Sequence, residues 1–238
     1  MSNCNNCNMQ EAKICVAIDG PSGAGKSTIA RLVAKELGFL YIDTGAMYRA
    51  LTLEALKSRV NLNDEQKMIK LAQESKITLG PDQNNFLRIF VKGEDVTDKI
   101  RQPEVSRYVS YTARLPKVRE YMVFQQRQMA KQGRVVMEGR DIGTVVLPNA
   151  EVKIFLTANQ FTRARRRQMQ LAKENVYVDL EQLNQEIATR DYLDSSRITA
   201  PLVPAQDAQV IDSSSLSIEQ VVELIVKKVK SYGKHSFG

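Results

Sequence analysis

A chain of 238 residues can bury a full core, and 43% apolar with 26% charged residues is the balance of an ordinary globular protein. Thirty-four basic against 27 acidic residues give a net charge of +7, which suits polyanionic ligands. Aromatic residues make up only 6% and line no basic stripe, which argues against a polynucleotide stacking platform, and apolar stretches such as 145–147 or 221–226 are far too short for a membrane span.

Residues 1–10 are polar and Asn-rich, without the basic-then-apolar order of a signal peptide. The expectation is a cytoplasmic protein with a short leader over 1–12. Cys4 and Cys7 form a C-x-x-C pair in that leader, read either as a metal pair or as plain leader. A zinc site needs two further ligands, and the single histidine is His235 in the tail, 233–238. Residues 14–19 read as the first strand, with Cys15 a buried strand residue. Residues 27–37 place Ile29, Val33 and Leu37 on one helical face, with Gly38 suited to ending the helix. Short β-rich runs follow at 40–43, 135–137, 152–157 and 208–212. Alternating with helical patterns, they predict an α/β fold with a buried parallel sheet. Pro116 suits a first helical turn, so a helix is expected over 117–131. Ser217 and Gln220 have capping-box spacing, followed by Ile218, Val221, Val222, Ile225 and Val229 on one apolar face. Two regions interrupt the alternation. Residues 77–96 read as a small antiparallel insertion with Gly-Pro-Asp-Gln-Asn-Asn and Lys-Gly turns, and 161–193 is charged and helical with weak apolar periodicity.

Gly20-Pro21-Ser22-Gly23-Ala24-Gly25-Lys26-Ser27 satisfies the phosphate-loop pattern G-x-x-x-x-G-K-[ST] between a strand and an amphipathic helix. Small residues let several backbone N–H groups converge on one anion, and the helix N-terminus adds partial positive charge there. Residues 20–28, ending on Thr28, thus form the expected ATP site. Lys26 would reach the β and γ phosphates, and Ser27 would hold Mg²⁺. Three features favour a small-molecule kinase: no guanine signature, no room for a motor's extra domains, and arginines where a second phosphorylated ligand would lie.

Three further segments carry polar groups suited to an acceptor. They are Asp43-Thr44-Gly45-Ala46-Met47-Tyr48-Arg49, then Glu138-Gly139-Arg140-Asp141-Ile142-Gly143-Thr144-Val145-Val146, then Arg190-Asp191-Tyr192-Leu193-Asp194-Ser195-Ser196-Arg197 before Ala-Pro-Leu-Val-Pro-Ala. The first reads equally as a phosphate grip or a capped helix start. Arg140 and Asp141 read as ligand contacts or as a structural ion pair. Arg163, Arg166 and Arg167 share one helix face, with Arg165 beside it. That run is either a solvated face or a set of lid arginines.

Together with the phosphate loop, these segments resemble bacterial cytidylate kinases, collinearly from about residue 14 to 229. Gly-Arg-Asp-Ile-Gly-Thr-Val-Val is the most specific of them. The resemblance implies a P-loop NTPase-type parallel five-stranded sheet flanked by helices, an acceptor-binding insertion with a small antiparallel sheet, and an Arg-rich lid. It assigns 13–43, 115–160 and 194–232 to the core, 44–114 to CMP binding and 161–193 to the lid with its adjoining helices. It implies that Arg49, Arg140 and Arg197 hold the acceptor phosphate near Thr44 and Tyr48, that Ser110, Arg119 and Asp141 read cytosine, and that Arg190 and Asp194 meet the sugar. Arg163 and Arg167 would meet ATP, and Lys26, Arg140, Arg166 and Arg190 would stabilise the transferring group. Glu138 stands where many members have aspartate holding a Mg²⁺-bound water, and Leu193 and Ser195 stand where some relatives have arginines.

The chemistry agrees with the implied base contacts: cytosine presents an amine donor beside an N3 acceptor, matching a carboxylate with an arginine or hydroxyl. The expected reaction is ATP with CMP or dCMP, in a monomer that binds neither polynucleotide nor membrane. The alternatives are another small-molecule P-loop kinase (for UMP, AMP or a non-nucleotide alcohol) and a basic nucleotide-dependent nucleic-acid-binding module.

Overall fold

In the computed structural model, residues 13–81, 87–173 and 175–235 are described; Cys4 and Cys7 lie outside them, as does much of the first turn expected in the antiparallel insertion. The chain divides into two compact units, Met1–Tyr41 with Ala130–Gly238, and Ile42–Met129.

The first unit is organised by β1 (Cys15–Asp19), whose Val16, Ala17 and Ile18 are wholly buried. The phosphate loop follows, then α1 (Lys26–Leu37), ended by Gly38 at φ 65°. The helix starts one residue before the sequence expectation, at the lysine itself. Next come β2 (Leu40–Asp43), β6 (Val135–Gly139), β7 (Val152–Thr157) and β8 (Gln209–Asp212), giving the sheet order β2-β6-β1-β7-β8. Parallel pairing joins β6 to β1, β1 to β7 and β7 to β8.

The winding reverses at β1: the chain leaves it for β2 on one side and later crosses from β6 to β7 on the other. Open α/β sheets bind ligands beyond the strand C-termini at such a reversal. β6 is buried throughout, and it runs two residues past the expected end. The strand at 208–212 differs from the buried run that its composition suggested. In β8 only Ile211 is buried, and in β2 only Ile42, because an edge strand is covered on fewer sides. Cys15 is half-buried rather than buried, and burial pushes its thiol up to about 11, with Glu151 adding to the shift.

The long C-terminal helix α8 (Ile218–His235) opens with the expected reciprocal box. The Ser217 N–H donates to Gln220 Oε1 at 2.9 Å, and the Gln220 N–H to Ser217 Oγ at 3.2 Å. Val221, Ile225 and Val229 pack with Ile29 and Val33 of α1 against Val16, Ile18 and Val136 of the sheet, whereas Ile218 stays exposed. Between β7 and β8 lie α6 (Gln160–Lys173) and α7 (Leu180–Ser195). The weak periodicity of this region conceals a small core of its own, Ala164, Leu171, Leu183 and Ile187, shared between the two helices.

The second unit holds α2 (Thr44–Lys57), α3 (Glu65–Glu74), a three-stranded antiparallel sheet of β3 (Ile77–Pro81), β4 (Leu87–Val91) and β5 (Glu94–Asp95), then α4 (Pro103–Ala113) and α5 (Pro116–Met129). Met47, Leu51, Met68, Val109, Val118 and Met122 form one core, and Ala50, Ile89, Val96 and Ile100 another. The antiparallel insertion agrees with the turn chemistry. Helix α5 starts on Pro116, ends at Met129, and belongs to this unit.

Candidate functional site

Within the first unit, the phosphate loop leaves β1 through Gly20, at φ 146°. A Cβ there would lie 1.9 Å from the Leu156 carbonyl oxygen, so only glycine lets the loop pass β7 this closely. Gly25, at φ 94°, leads into α1 and aims its N-terminus into the loop. Lys26 is buried and donates to the Pro21 carbonyl at 2.7 Å. Burial holds its ammonium well below the ordinary lysine range. Arg140 and Arg190 lower it further, while Glu138 and Asp19 work against the shift. Such a lysine gains most from an added anion. Ser27 is exposed, and Thr28 half-buried.

The arginine run is not a solvated face. Arg163 is 6% exposed; its Nε donates to the Ala158 carbonyl at 2.9 Å, and its Nη1 to the Ser22 carbonyl of the phosphate loop at 2.9 Å. The same Nη1 pairs with Asp191 of α7 at 2.6 Å. Arg166 donates to Ser213, to the hydroxyl at 3.0 Å and the carbonyl at 2.6 Å; the Ser213 hydroxyl also lies 3.0 Å from the Thr157 carbonyl. Arg167 is half-buried, and Arg165 exposed. The α6 arginines thus reach back to the loops after β1 and β8.

A second polar cluster joins the end of β6 to the end of α7. Arg140 Nε donates to Asp194 Oδ2 at 2.7 Å, and Arg197 closes on Asp194 Oδ1. The structural ion pair weighed for Arg140 is therefore formed with Asp194, on another element. Burial alone would raise the Asp194 carboxyl, but Arg140, then Arg197 and Arg190, hold it down to about 2. For Arg140 burial opposes the charge; Asp194 outweighs it and leaves the guanidinium above its usual range. Glu138 is 3% exposed and accepts from the Tyr41 hydroxyl at 2.6 Å.

Asp141 begins a single π-helical turn, Ile142–Val146. Its first two N–H groups are taken by Asp19, to Oδ1 from Ile142 at 2.8 Å and to Oδ2 from Gly143 at 2.7 Å. Burial pushes the Asp19 carboxyl up to about 6. The two N–H bonds and Lys26 pull against this, and Asp141 adds to it.

In the second unit, the Asp43 carboxylate accepts from the Ala46 N–H at 2.9 Å, so the Asp-Thr-Gly-Ala segment is a capped helix start. Thr44 and Tyr48 are buried in that helix. The Arg49 side chain folds back over the first turn, where a Cβ on Gly45 would lie 3.2 Å from its Nη1. Arg119 of α5 is 3% exposed, donates to the Ala113 carbonyl at 3.0 Å, and lies over the Tyr48 ring with its Cζ 5.7 Å from the centroid. Ser110 is buried on α4.

The first unit therefore brings together Lys26 with Arg140 and Arg190, Arg163 with the phosphate loop, and Arg140 and Arg197 with Asp194. The second brings Arg119 to Tyr48. Sequence reasoning passed over Asp19, Tyr41, Asp191 and Ser213. Asp19 had one available signal, an acid placed where the strand meets the phosphate loop.

The cytidylate kinase family description matches residues 16–231. Over 216 residues the chain is 56% identical to a cytidylate kinase of Pelotomaculum thermopropionicum, covering 91% of this chain and 96% of that protein. It is 53% identical over 216 residues to one of Desulforamulus reducens, with the same coverage. A third, from Geobacillus sp., is 55% identical over 214 residues, covering 90% of this chain and 95% of that protein.

Proposed function

The chain belongs to the cytidylate kinase family, and we propose from that footing how its residues carry a phosphoryl group from ATP to CMP. The reaction yields ADP and CDP, or dCDP from dCMP. The observation that carries the reading is the phosphate loop's own Lys26, buried, bonded to the Pro21 carbonyl at 2.7 Å and within the field of Arg140 and Arg190. Cations of a donor site and of an acceptor site thus act on one point.

The acceptor nucleophile is a phosphate oxygen, anionic at neutral pH, so no protein base is required. Catalysis is then positioning and charge stabilisation. Lys26 turns from the Pro21 carbonyl to the donor phosphates, which replace repulsion by Arg140 and Arg190 with an attractive partner. Arg140, Arg190 and Arg197 bind the acceptor's phosphate and sugar side, with Asp194 fixing two of these guanidinium groups. Thr44, Tyr48 and Arg49 complete the grip on the phosphate. Ser110, Arg119 and Asp141 contact the cytosine edge. Arg163 holds the Ser22 carbonyl from behind, which keeps the loop's N–H groups turned to ATP. Arg166 and Arg167 extend from the same helix toward the nucleotide as lid residues. Lid closure over α6 and α7 would exclude water as a competing acceptor.

Mg²⁺ accompanies ATP in this reading. The Ser27 hydroxyl at the start of α1 and the Glu138 carboxylate, steadied by Tyr41, are hard oxygen donors, and they suit an ion that takes most of its ligands from phosphate and water. Among the described residues no cluster of three or more His, Cys, Asp or Glu could hold a metal. When bound, Mg²⁺ would neutralise charge on the phosphates that Lys26 also faces. None of the helices among the described residues is long and apolar enough to cross a membrane. The setting we propose is a cytoplasmic monomer acting on free nucleotides.

A coupled assay of ADP release against AMP, CMP, dCMP, GMP and UMP tests the reading. CMP and dCMP should be turned over far faster than the other three. Equal or greater efficiency with UMP or AMP would reassign the acceptor.

A further inference from the structure

The turn after β6 is capped from elsewhere in the chain. Asp141 occupies the cap position: its carbonyl accepts from the Val145 N–H at 2.8 Å and from the Val146 N–H at 3.1 Å. An aspartate so placed ordinarily folds its carboxylate onto the first N–H groups of its own helix. The Asp141 side chain makes no such cap bond. The N–H groups of Ile142 and Gly143 are taken instead by the two oxygens of Asp19, 123 and 124 positions earlier. Parallel pairing of β1 with β6, in the register Asp19↔Gly139, brings that carboxylate to the turn. At Gly143 the turn also passes close to Lys153, since a Cβ there would lie 3.2 Å from Lys153 Cδ, while Asp19 Oδ2 would be at an ordinary contact distance of 3.4 Å.

We propose that Asp19 is a positioning residue for base recognition: by capping the Ile142–Val146 turn in place of Asp141, it fixes the backbone at Arg140 and Asp141 and so sets where the Asp141 carboxylate stands toward the acceptor's base. The inference rests on the reading of Asp141 as a cytosine contact. It also gives the donor loop and the acceptor turn a common anchor, because Asp19 is the last residue before the phosphate loop. An ordinary cap would have tied Asp141 to its own turn, as Asp43 is tied to α2.

Asp19→Asn keeps the side chain's shape but puts an amide NH₂ where an N–H must be accepted. Exchange at the Ile142 and Gly143 amides should accelerate in this variant. The CMP-to-UMP ratio of kcat/KM should narrow roughly tenfold, chiefly through a higher KM for CMP, because one buried polar mismatch acts on that contact. Gly143→Ala leaves Asp19 intact but sets a methyl against the Lys153 side chain, at 3.2 Å from Cδ, and so presses on the turn beside the capped N–H. It should narrow the same ratio less, and it answers the question if Asp19→Asn does not fold. Asp141→Asn separates the two readings. If it narrows the ratio while Asp19→Asn and Gly143→Ala both keep the wild-type value, the role given to Asp19 is overturned and the base reading stands. If Asp141→Asn itself keeps the wild-type ratio, the base reading fails and the inference falls with it.

Discussion

Asp19 closes β1 and is held by two backbone N–H groups; Asp194, near the end of α7, is held by two guanidinium groups. Both are buried in the same unit, at 4% and 1% exposed, yet Asp19 is pushed up to about 6 and Asp194 is held down to about 2. Burial raises both. What separates them is whether the compensating donors carry charge, because neutral N–H dipoles repay only part of the desolvation that a full cation repays. The Asp194 cluster is thereby a fixed-charge device that aims arginines. Asp19 is a backbone anchor whose ionised form is costly to keep.

The largest effect is expected at Lys26, whose ammonium is pushed down by Arg140 and Arg190 and supported by Glu138 and Asp19. Lys26→Ala should leave a folded protein whose turnover falls roughly 10²-fold or more, since a charge contact made to the transferring group is lost. Single-turnover rates with CMP measure this directly, and a folded variant retaining most of its kcat contradicts the phosphate-loop mechanism.

Asp19 offers the next largest effect. Its folded pKa, about 6, lies above the ordinary 3.8, so the native state binds this proton more tightly than the unfolded chain. Its contribution to stability is greatest below about pH 4 and is lost as pH rises through about 6, by roughly 2–3 kcal/mol. Urea unfolding of wild type and Asp19→Asn should therefore show a stability difference that shifts against wild type between pH 4 and 7. A pH-independent difference would mean that the carboxyl is not desolvated.

Asp194 should behave with the opposite sign. Its folded pKa, about 2, lies below 3.8, so its stabilisation is present above about pH 4 and is lost as pH falls through 2, by about 2 kcal/mol. The stability gap between wild type and Asp194→Asn should close over that interval. The smallest effect lies far from either aspartate: Ser217→Ala removes one half of the α8 capping box and should cost about 1 kcal/mol at any pH between 5 and 8.

Legibility in the sequence followed the range of the interactions. The phosphate loop, α1 and the α8 capping box are local patterns, and each is found where its spacing placed it, to within a residue. Helix α2 gave no apolar stripe to read, because residues all round it are buried, from Thr44 and Ala46 to Thr52 and Leu53. The shared core of α6 and α7 was hidden for the converse reason: each helix supplies only two of its four buried residues. Composition overstated the burial of β8, since edge position is a property of the assembled sheet.

At the site, residue types were readable and partners were not. Arg163 was legible as a cation in a basic run. Its bond to the Ser22 carbonyl joins positions 141 apart, and its pairing with Asp191 follows from the packing of α6 on α7. The Asp19 cap binds backbone groups, which carry no residue signature at all.

Selection of cytosine through the turn after β6 is the proposal on which the site reading turns. It is tested most directly by kcat/KM for CMP and UMP in wild type, Asp141→Asn and Asp141→Ala. Uracil presents a carbonyl where cytosine presents an amine, so it meets the carboxylate acceptor to acceptor. Asp141→Asn should lower CMP efficiency and narrow the CMP/UMP gap, because its amide can donate or accept; Asp141→Ala should weaken CMP without restoring UMP. A folded, active Asp141→Asn enzyme that keeps the wild-type preference would contradict the account.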